Sequence, residues 1–408
     1  MSDEGTERRS DEGNTKILLP PPSVASSLSR YVAYFLCNDG AILMSQTLDQ
    51  ILGGQNLTGV IQQTTTGVPD VFPASFYASR RPVEGDTAEY TRIDGSRQTA
   101  RIAAYGSPSQ QRELKDVAKV PVKLIHTVES ILHKPSVLTN LVNFTNPSQQ
   151  QLGITEVTRQ TRQFRQLFDN LRVASLTSML FSGTINFDGS GNLLPTPSGA
   201  KITVNYGIPA GNTAQLNVFG AGNLLDVTWD NATSDVATQV TNLKKAARKL
   251  TGYPIAHAFY GQNVLDYLLN NNRVKEMMKF NPPANAQTLA GDVPAGLFGL
   301  QWHPAYEAFF EDGSGTAQDL VGGDQVLFTP EPTMDWLDWL EGTYPVPTSV
   351  GAITPDAVSA AGNVHLATGM FSYAQVTSDP VTVKQVAGDT FLPVLKVPKA
   401  VFVATVKF

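Results

Sequence analysis

The chain has 408 residues, only 16% of them charged, and a formal net charge of −6. This is sparse beside the roughly 25% of an ordinary soluble domain. The acidic balance argues against a dedicated nucleic-acid binder, whose affinity would rest on Lys and Arg neutralising phosphates. The single Cys37 excludes an internal disulfide and any multi-cysteine metal site, and no apolar run approaches the ~20 residues that cross a bilayer as a helix.

Residues 1–16 are polar and lack the apolar segment of a secretory signal, so none is expected. Leu18 to Pro22 reads as an extended strap. Short amphipathic pieces follow at Tyr31–Leu36 and Ile42–Leu52, the second stopping at Gly53-Gly54. They carry too little apolar surface for a core of their own, so residues 1–72 read as an arm that packs on something else.

Residues 73–116 differ in character. Thr87–Tyr105 mixes β-favouring residues with charges around Asp94-Gly95, a strong hairpin-turn signal. Large apolar residues are few, and an isolated two-stranded ribbon is marginal in water, so the hairpin should lie on another molecule. Arg80, Arg81, Arg92, Arg97 and Arg101 stand here beside Glu84, Asp86, Glu89 and Asp94. A solvated surface hairpin is the competing reading. Val117–Leu132 reads as a strand or a strand pair.

Pro147 to Ser182 is one long amphipathic helix by pattern. Asn146 is placed to cap it, Pro147 suits its first position, and Gly183 stands where it would stop. Ile154, Val157, Thr161, Phe164, Phe168, Leu171 and Ser175 form an apolar stripe widened by Leu167, Ala174 and Leu180. Arg159, Arg162, Arg165 and Arg172 are assigned to the other faces. About thirty residues at 1.5 Å each make a rod of ~45 Å, which needs a sheet or a neighbour to lie against. Thr184–Tyr206 then reads as two strands around a turn at Asp188–Asn192.

Asp235 opens a second composition as an N-cap. Val236–Leu250 is a helix, Ile255–Tyr260 a buried strand, Asn263–Lys279 a helix pair and Asp324–Thr329 another strand. Together they predict a small α/β unit with a short sheet. Gly369–Thr377 and Lys396–Phe408 are strands that need partners, expected beside the long helix.

No catalytic motif emerges: neither a phosphate loop, a zinc-binding helix motif nor a nucleophile elbow is present. The loops at Asp188 and Asp312 faintly resemble calcium loops but lack the closing Glu. The five histidines are scattered, so no metal, cofactor or catalytic residue is assigned. Trp336 and Trp339 make the densest aromatic spot, read as a buried or subunit-facing loop, with sugar binding (joined by Trp302) as the alternative.

The order of arm, thin hairpin, long helix, strands, α/β unit and return strands resembles the major capsid protein of tailed bacteriophages, the Hong Kong phage-type fold, in its lambda-type major capsid protein E branch. The hairpin at 73–116 resembles that family's extended loop, and the exit Ser178–Ile185 resembles the end of its spine helix. Ile255–Phe280, Gly299–Asp312 with Asp324–Pro330, and the closing run from Phe371 through Asp379-Pro380 and Phe391–Val394 to Val401 follow in family order. The resemblance implies an α+β fold with an N-terminal arm at 1–72 and an extended loop at 73–116. It further implies a peripheral domain at 117–235 with its spine helix at 147–182, an axial domain at 236–355, and peripheral return strands at 356–408.

It also implies a shell of hexameric and pentameric capsomers around double-stranded DNA, in a virion assembled in the host cytoplasm. A separate scaffolding protein, a portal at one vertex and a decoration protein are the implied partners, with no membrane. An encapsulin-like nanocompartment or another virion structural protein is the alternative. Arg80, Arg81, Arg92, Asp94, Gly95, Arg97, Arg101, Arg159, Arg162, Trp336 and Trp339 are the expected subunit contacts. Residues 80–105 contain no lysine, so no isopeptide crosslink can be assigned to them.

Overall fold

The computed structural model describes residues 48–66, 71–93, 117–143, 146–213, 228–279, 291–294, 296–311, 317–348, 364–378 and 381–407, with the single positions 287 and 350. In chain order, α1 (Leu48–Leu52) and α2 (Gly54–Gln63) lead to strands β1 (Arg80–Val83), β2 (Thr87–Ile93), β3 (Val117–Lys123) and β4 (Ile125–Leu132). Helix α3 (Pro135–Val142) precedes the long α4 (Pro147–Ser182). Then come β5 (Thr184–Phe187), β6 (Leu193–Leu194), β7 (Ile202–Asn205), α5 (Ala210–Thr213), α6 (Val236–Thr251), β8 (Ile255–Tyr260), α7 (Val264–Asn270) and α8 (Asn272–Lys279). The remainder is strand: β9 (Gln301–Pro304), β10 (Phe309–Glu311), β11 (Ala317–Asp319), β12 (Gln325–Pro330), β13 (Leu337–Pro347), β14 (Val364–Thr368), β15 (Phe371–Ser378), β16 (Val381–Leu395) and β17 (Phe402–Thr405).

The predicted caps of the two main helices form. Asn146 accepts from the Gln149 amide and Asp235 from that of Thr238. Gly183, at φ 73°, adopts the left-handed conformation that ends α4, which L side chains rarely take. At 36 residues, α4 is a rod of ~54 Å. Its predicted stripe is buried at Ile154, Val157, Thr161, Phe164, Phe168 and Ser175, while Leu167 stays 56% exposed and does not widen it. From Ala174 to Phe181 every residue is buried, so the helix ends enclosed on all sides.

The stripe rests on a six-stranded sheet organised by β16. One edge of β16 pairs antiparallel with β15 and then β13, and the other edge pairs with β4. Strand β1 adds to β13 in parallel and β14 pairs with β13 antiparallel. A second sheet runs β17-β12-β8-β9, all antiparallel except β8 with β9. Its alternate residues are buried on both faces. Ala258, Tyr260, Val326, Phe328, Phe402 and Ala404 pack under α6–α8. Phe259, Leu327 and Val403 face the cluster that holds Phe72, Phe76, Trp336 and the end of α4.

Five expectations are corrected. Strand β13, expected in the axial segment 236–355, belongs to the six-stranded sheet, while β17, expected beside the long helix, crosses to β12 because its alternating apolar residues fill both faces of the shorter sheet. The helix stop at Gly53-Gly54 is only a break: Gly54 opens α2, and a Cβ there would collide with Val346 and Pro347. Residues 48–66 pack on the chain's own sheet and spine, with Ile51, Leu52, Leu57 and Ile61 buried. Thr184–Asn205 forms three strands, with β5 between β6 and β7.

Phe168→Ala should lower stability by about 3–5 kcal/mol, read as a fall in the urea midpoint. Leu167→Ala, one residue away, should move it by no more than ~0.5 kcal/mol. Equal losses would mean that the buried face of α4 is misassigned.

Candidate assembly elements

Three elements could serve a building block: the spine clamped on its sheet, a ribbon packed on the core by one face and exposed on the other, and the exposed arginines of the spine. The clamp is centred on Arg172, which the pattern assigned to a polar face. It is instead buried, with 7% of its side chain exposed. Its Nε and Nη2 donate to the two carboxylate oxygens of Asp389 on β16 at 2.7 and 2.8 Å, and Nη1 donates to Glu341 on β13 at 2.9 Å. The guanidinium also lies over the rings of Phe391 and Trp339, 5.1 and 5.9 Å from their centroids. Desolvation works to lower the Arg172 pKa, but Asp389 and Glu341 more than reverse it and keep the group charged. One side chain thus joins the helix to two strands.

Further along α4, Arg165 pairs with Asp169 at 2.8 Å and donates to the Ile61 carbonyl at 3.2 Å, tying down α2. Gln385 of β16 donates to Thr161 Oγ1 at 2.8 Å and contacts His133 Nε2 at 3.1 Å. Burial pushes the His133 pKa down. Asp338, 1% exposed, is held by Ser79 Oγ at 2.7 Å and Lys396 Nζ at 3.0 Å.

The ribbon is β2 with β3, in register from Thr87↔Lys123 to Ile93↔Val117. The two-residue turn read at Asp94-Gly95 therefore does not close this hairpin, because the partner of β2 lies beyond residue 116. Tyr90 is buried in the main core, with Ala88, Val120 and Val122 against it, and the Ile93 amide donates to the Lys396 carbonyl at 2.7 Å. Thr87, Glu89, Thr91, Pro121 and Lys123 face outward. The base is anchored and its other face is exposed.

The expected contact residues separate accordingly. Arg80 and Arg81 lie on β1 in the six-stranded sheet, reaching Glu341 at 3.5 Å and Asp338 at 4.0 Å. They therefore face carboxylates of their own chain at ion-pair distance, though each side chain is 48% exposed. Arg92 is on the ribbon. Asp94, Gly95, Arg97 and Arg101 lie outside the described residues. Arg159 pairs with Glu156 at 2.7 Å on the outer face of α4, where that pair's hydrogen bond, helped by Gln160, holds the Glu156 carboxyl down at about 2. Arg162 is exposed with no partner among the described residues.

Trp336 and Trp339 are 0% and 1% exposed, with their indole N–H groups donated to the carbonyls of Glu331 and Phe76. Trp302 is likewise buried and bonded to Leu297. They are core anchors, offering neither a subunit surface nor a face for a sugar ring.

Asp188 spends its carboxylate on the amides of Ser190 and Asn192 and on the Asn192 side chain. Among the described residues no three His, Cys, Asp or Glu side chains are set to hold a metal ion. His257 bridges His303 at 3.1 Å and Glu331 at 2.8 Å in a line. Desolvation, aided by His257, lowers the His303 pKa to about 4.

A rod clamped over a sheet, a ribbon packed by one face and a second sheet are joined through one hydrophobic cluster. A family model described as phage major capsid protein E matches residues 55–406. The chain belongs to that family and is a major capsid protein, a structural component of a phage virion shell. A solved structure assigned as a prophage capsid protein of E. coli CFT073 is 12% identical, with a TM-score of 0.51 over 87% of this chain and 99% of that one. A phage-related protein from Bordetella bronchiseptica RB50 is 12% identical, with a TM-score of 0.44 over 86% and 97%. A virus-like particle from Pyrococcus furiosus is 10% identical, with a TM-score of 0.38 over 86% and 98%. What the first shares at this identity is the α+β capsid fold. No curated protein sequence matches the chain.

His303 and His133 both have folded-state pKa values below 6.5. The unfolded chain therefore binds their protons more tightly, and their contribution is full above pH 6.5 and declines as pH falls towards about 4. His303→Gln should flatten that part of the profile of urea midpoint against pH. An unchanged slope would remove His303 from the account.

Proposed function

We propose that copies of this chain form the hexameric and pentameric capsomers of an icosahedral phage head that encloses a double-stranded DNA genome. The observation that carries the proposal is the ribbon: one face is locked into the chain's core while Thr87, Glu89, Thr91, Pro121 and Lys123 on the other stay exposed, Lys123 pairing with Asp86 at its edge at 3.8 Å. In this reading the ribbon continues past Ile93 onto the adjacent subunit, where Arg97 and Arg101 meet acidic groups. Arg159 and Arg162 on the outer face of the spine are further candidates for contact between copies, and Arg80 and Arg81 keep half-exposed side chains that could join them.

Each exposed ion pair contributes only about 0–1 kcal/mol. A closed shell repeats it on every subunit, so contacts weak enough to be corrected during growth still hold the finished particle. No catalytic step is required of the chain. A scaffolding protein would guide curvature, a portal would occupy one vertex, and a decoration protein would bind outside. Assembly would take place in the host cytoplasm, and the DNA would be confined without sequence readout. The buried ion pairs suit this role, since a subunit that keeps its shape lets small surface contacts decide the geometry of the assembly.

Electron microscopy of the full chain, expressed with and without a candidate scaffold, should show closed shells or hexameric rings. Arg97→Glu with Arg101→Glu should leave the urea midpoint within ~0.5 kcal/mol of its starting stability and abolish closed shells. Normal shells from the double reversal would overturn the ribbon's role, and a particle filled with protein cargo would point to a nanocompartment instead.

A further inference from the structure

Helix α6 carries Lys244, Lys245, Arg248 and Lys249 within its last two turns and no acidic residue anywhere along its length. Thr241, Lys244, Lys245 and Arg248 line a shallow groove of about 260 Å³ that is closed on its other side by Pro254 and Ile255. Lys244 is bound to its own fold, donating to the Phe298 and Gly299 carbonyls at 3.0 and 3.2 Å. Lys245, Arg248 and Lys249 are exposed, and no carboxylate among the described residues pairs with them.

This arrangement is unfavourable on its own. Lys244 with Arg248, Lys245 with Arg248, and Lys245 with Lys249 are like charges three or four residues apart on one helix, a spacing that destabilises it. The helix C-terminus favours Arg248 and Lys249 in the last turn, but Lys245 lies further in and needs another anion. On a chain with 36 acidic and 30 basic residues, a run this basic without acidic partners is a local reversal of sign.

We propose that this face of α6 binds phosphate groups of the nucleic acid inside the shell, which places it on the inner wall. The inference rests on the head-forming function proposed above. Nucleic acid fits better than a facing subunit. Exposed lysines are depleted at protein interfaces, whereas flexible cations set along one helix face suit phosphate contacts that carry no sequence information. The groove, with the exposed Lys245 and Arg248 cations along its rim, has the chemistry to take a phosphate group.

The test uses the full unassembled chain and a short fluorescent DNA duplex, with binding followed by anisotropy between about 50 and 200 mM salt. The triple variant Lys245→Gln, Arg248→Gln and Lys249→Gln should lose at least about tenfold in affinity at the lower salt. It should also reduce the slope of log affinity against log salt by about 2–3. A charge-matched control, Lys134→Gln, Lys201→Gln and Lys384→Gln, should keep most of both. Lys245→Arg with Lys249→Arg should bind like the unaltered chain, which separates loss of charge from loss of fold.

Unchanged DNA binding in the triple variant would overturn the proposal, whether or not its melting point had dropped. So would failure of that variant to form shells while it still bound DNA, because the face would then be a subunit contact. If the unaltered chain forms no shells at all, the head-forming function fails, and the anisotropy series still reports on the helix face.

Discussion

A guanidinium buried between two carboxylates is the constraint on which the rest of this subunit depends. Asp389 is the mid-strand acid of β16 and Glu341 sits where β13 passes the same point, so neither could be desolvated without a cation. Arg172 supplies it from α4, with its flat faces covered by Phe391 and Trp339. Replacing such a set by hydrophobic residues can be neutral, whereas removing one member strands a charge at about 3–5 kcal/mol. Its contribution is therefore to placement: in the register seen here one side chain of the helix meets carboxylates on two strands at once.

Consequences spread outward from that point. With α4 fixed, Arg165 holds α2 through the Ile61 carbonyl, and the fully enclosed end of the helix joins the core that also seats Tyr90 and Phe259. The ribbon and the shorter sheet are thereby referred to the same rod. Buried charge holds the elements of the block together, while Arg159 and Arg162 stay on the exposed face of the helix.

Much of this was legible in the residues. Both main helices, their caps and C-terminal glycines, the α/β unit and the order of segments followed from period and punctuation, and the family resemblance followed from that order. What escaped did so for physical reasons. Strand β16 interrupts its apolar run with Lys384, Gln385 and Asp389, and only tertiary partners make those residues compatible with a central strand. Arg172 looked like a solvated position because its carboxylates stand 169 and 217 residues away in sequence. The tryptophans were legible as a cluster, buried or subunit-facing, and the choice between the two rested on main-chain carbonyls brought from elsewhere in the chain. The partner of β2 was misjudged because Asp94-Gly95 gave a strong local signal, while the strand that pairs with β2 begins only at Val117.

A double-mutant cycle between Arg172→Leu and Asp389→Leu, measured by urea unfolding of the full chain, tests the clamp most directly. Each single change should be severe, and the pair together should cost less than the sum by about 2 kcal/mol or more. Additive losses, with coupling near zero, would show that the helix is held on its sheet by apolar packing alone and would contradict the central role given to this contact.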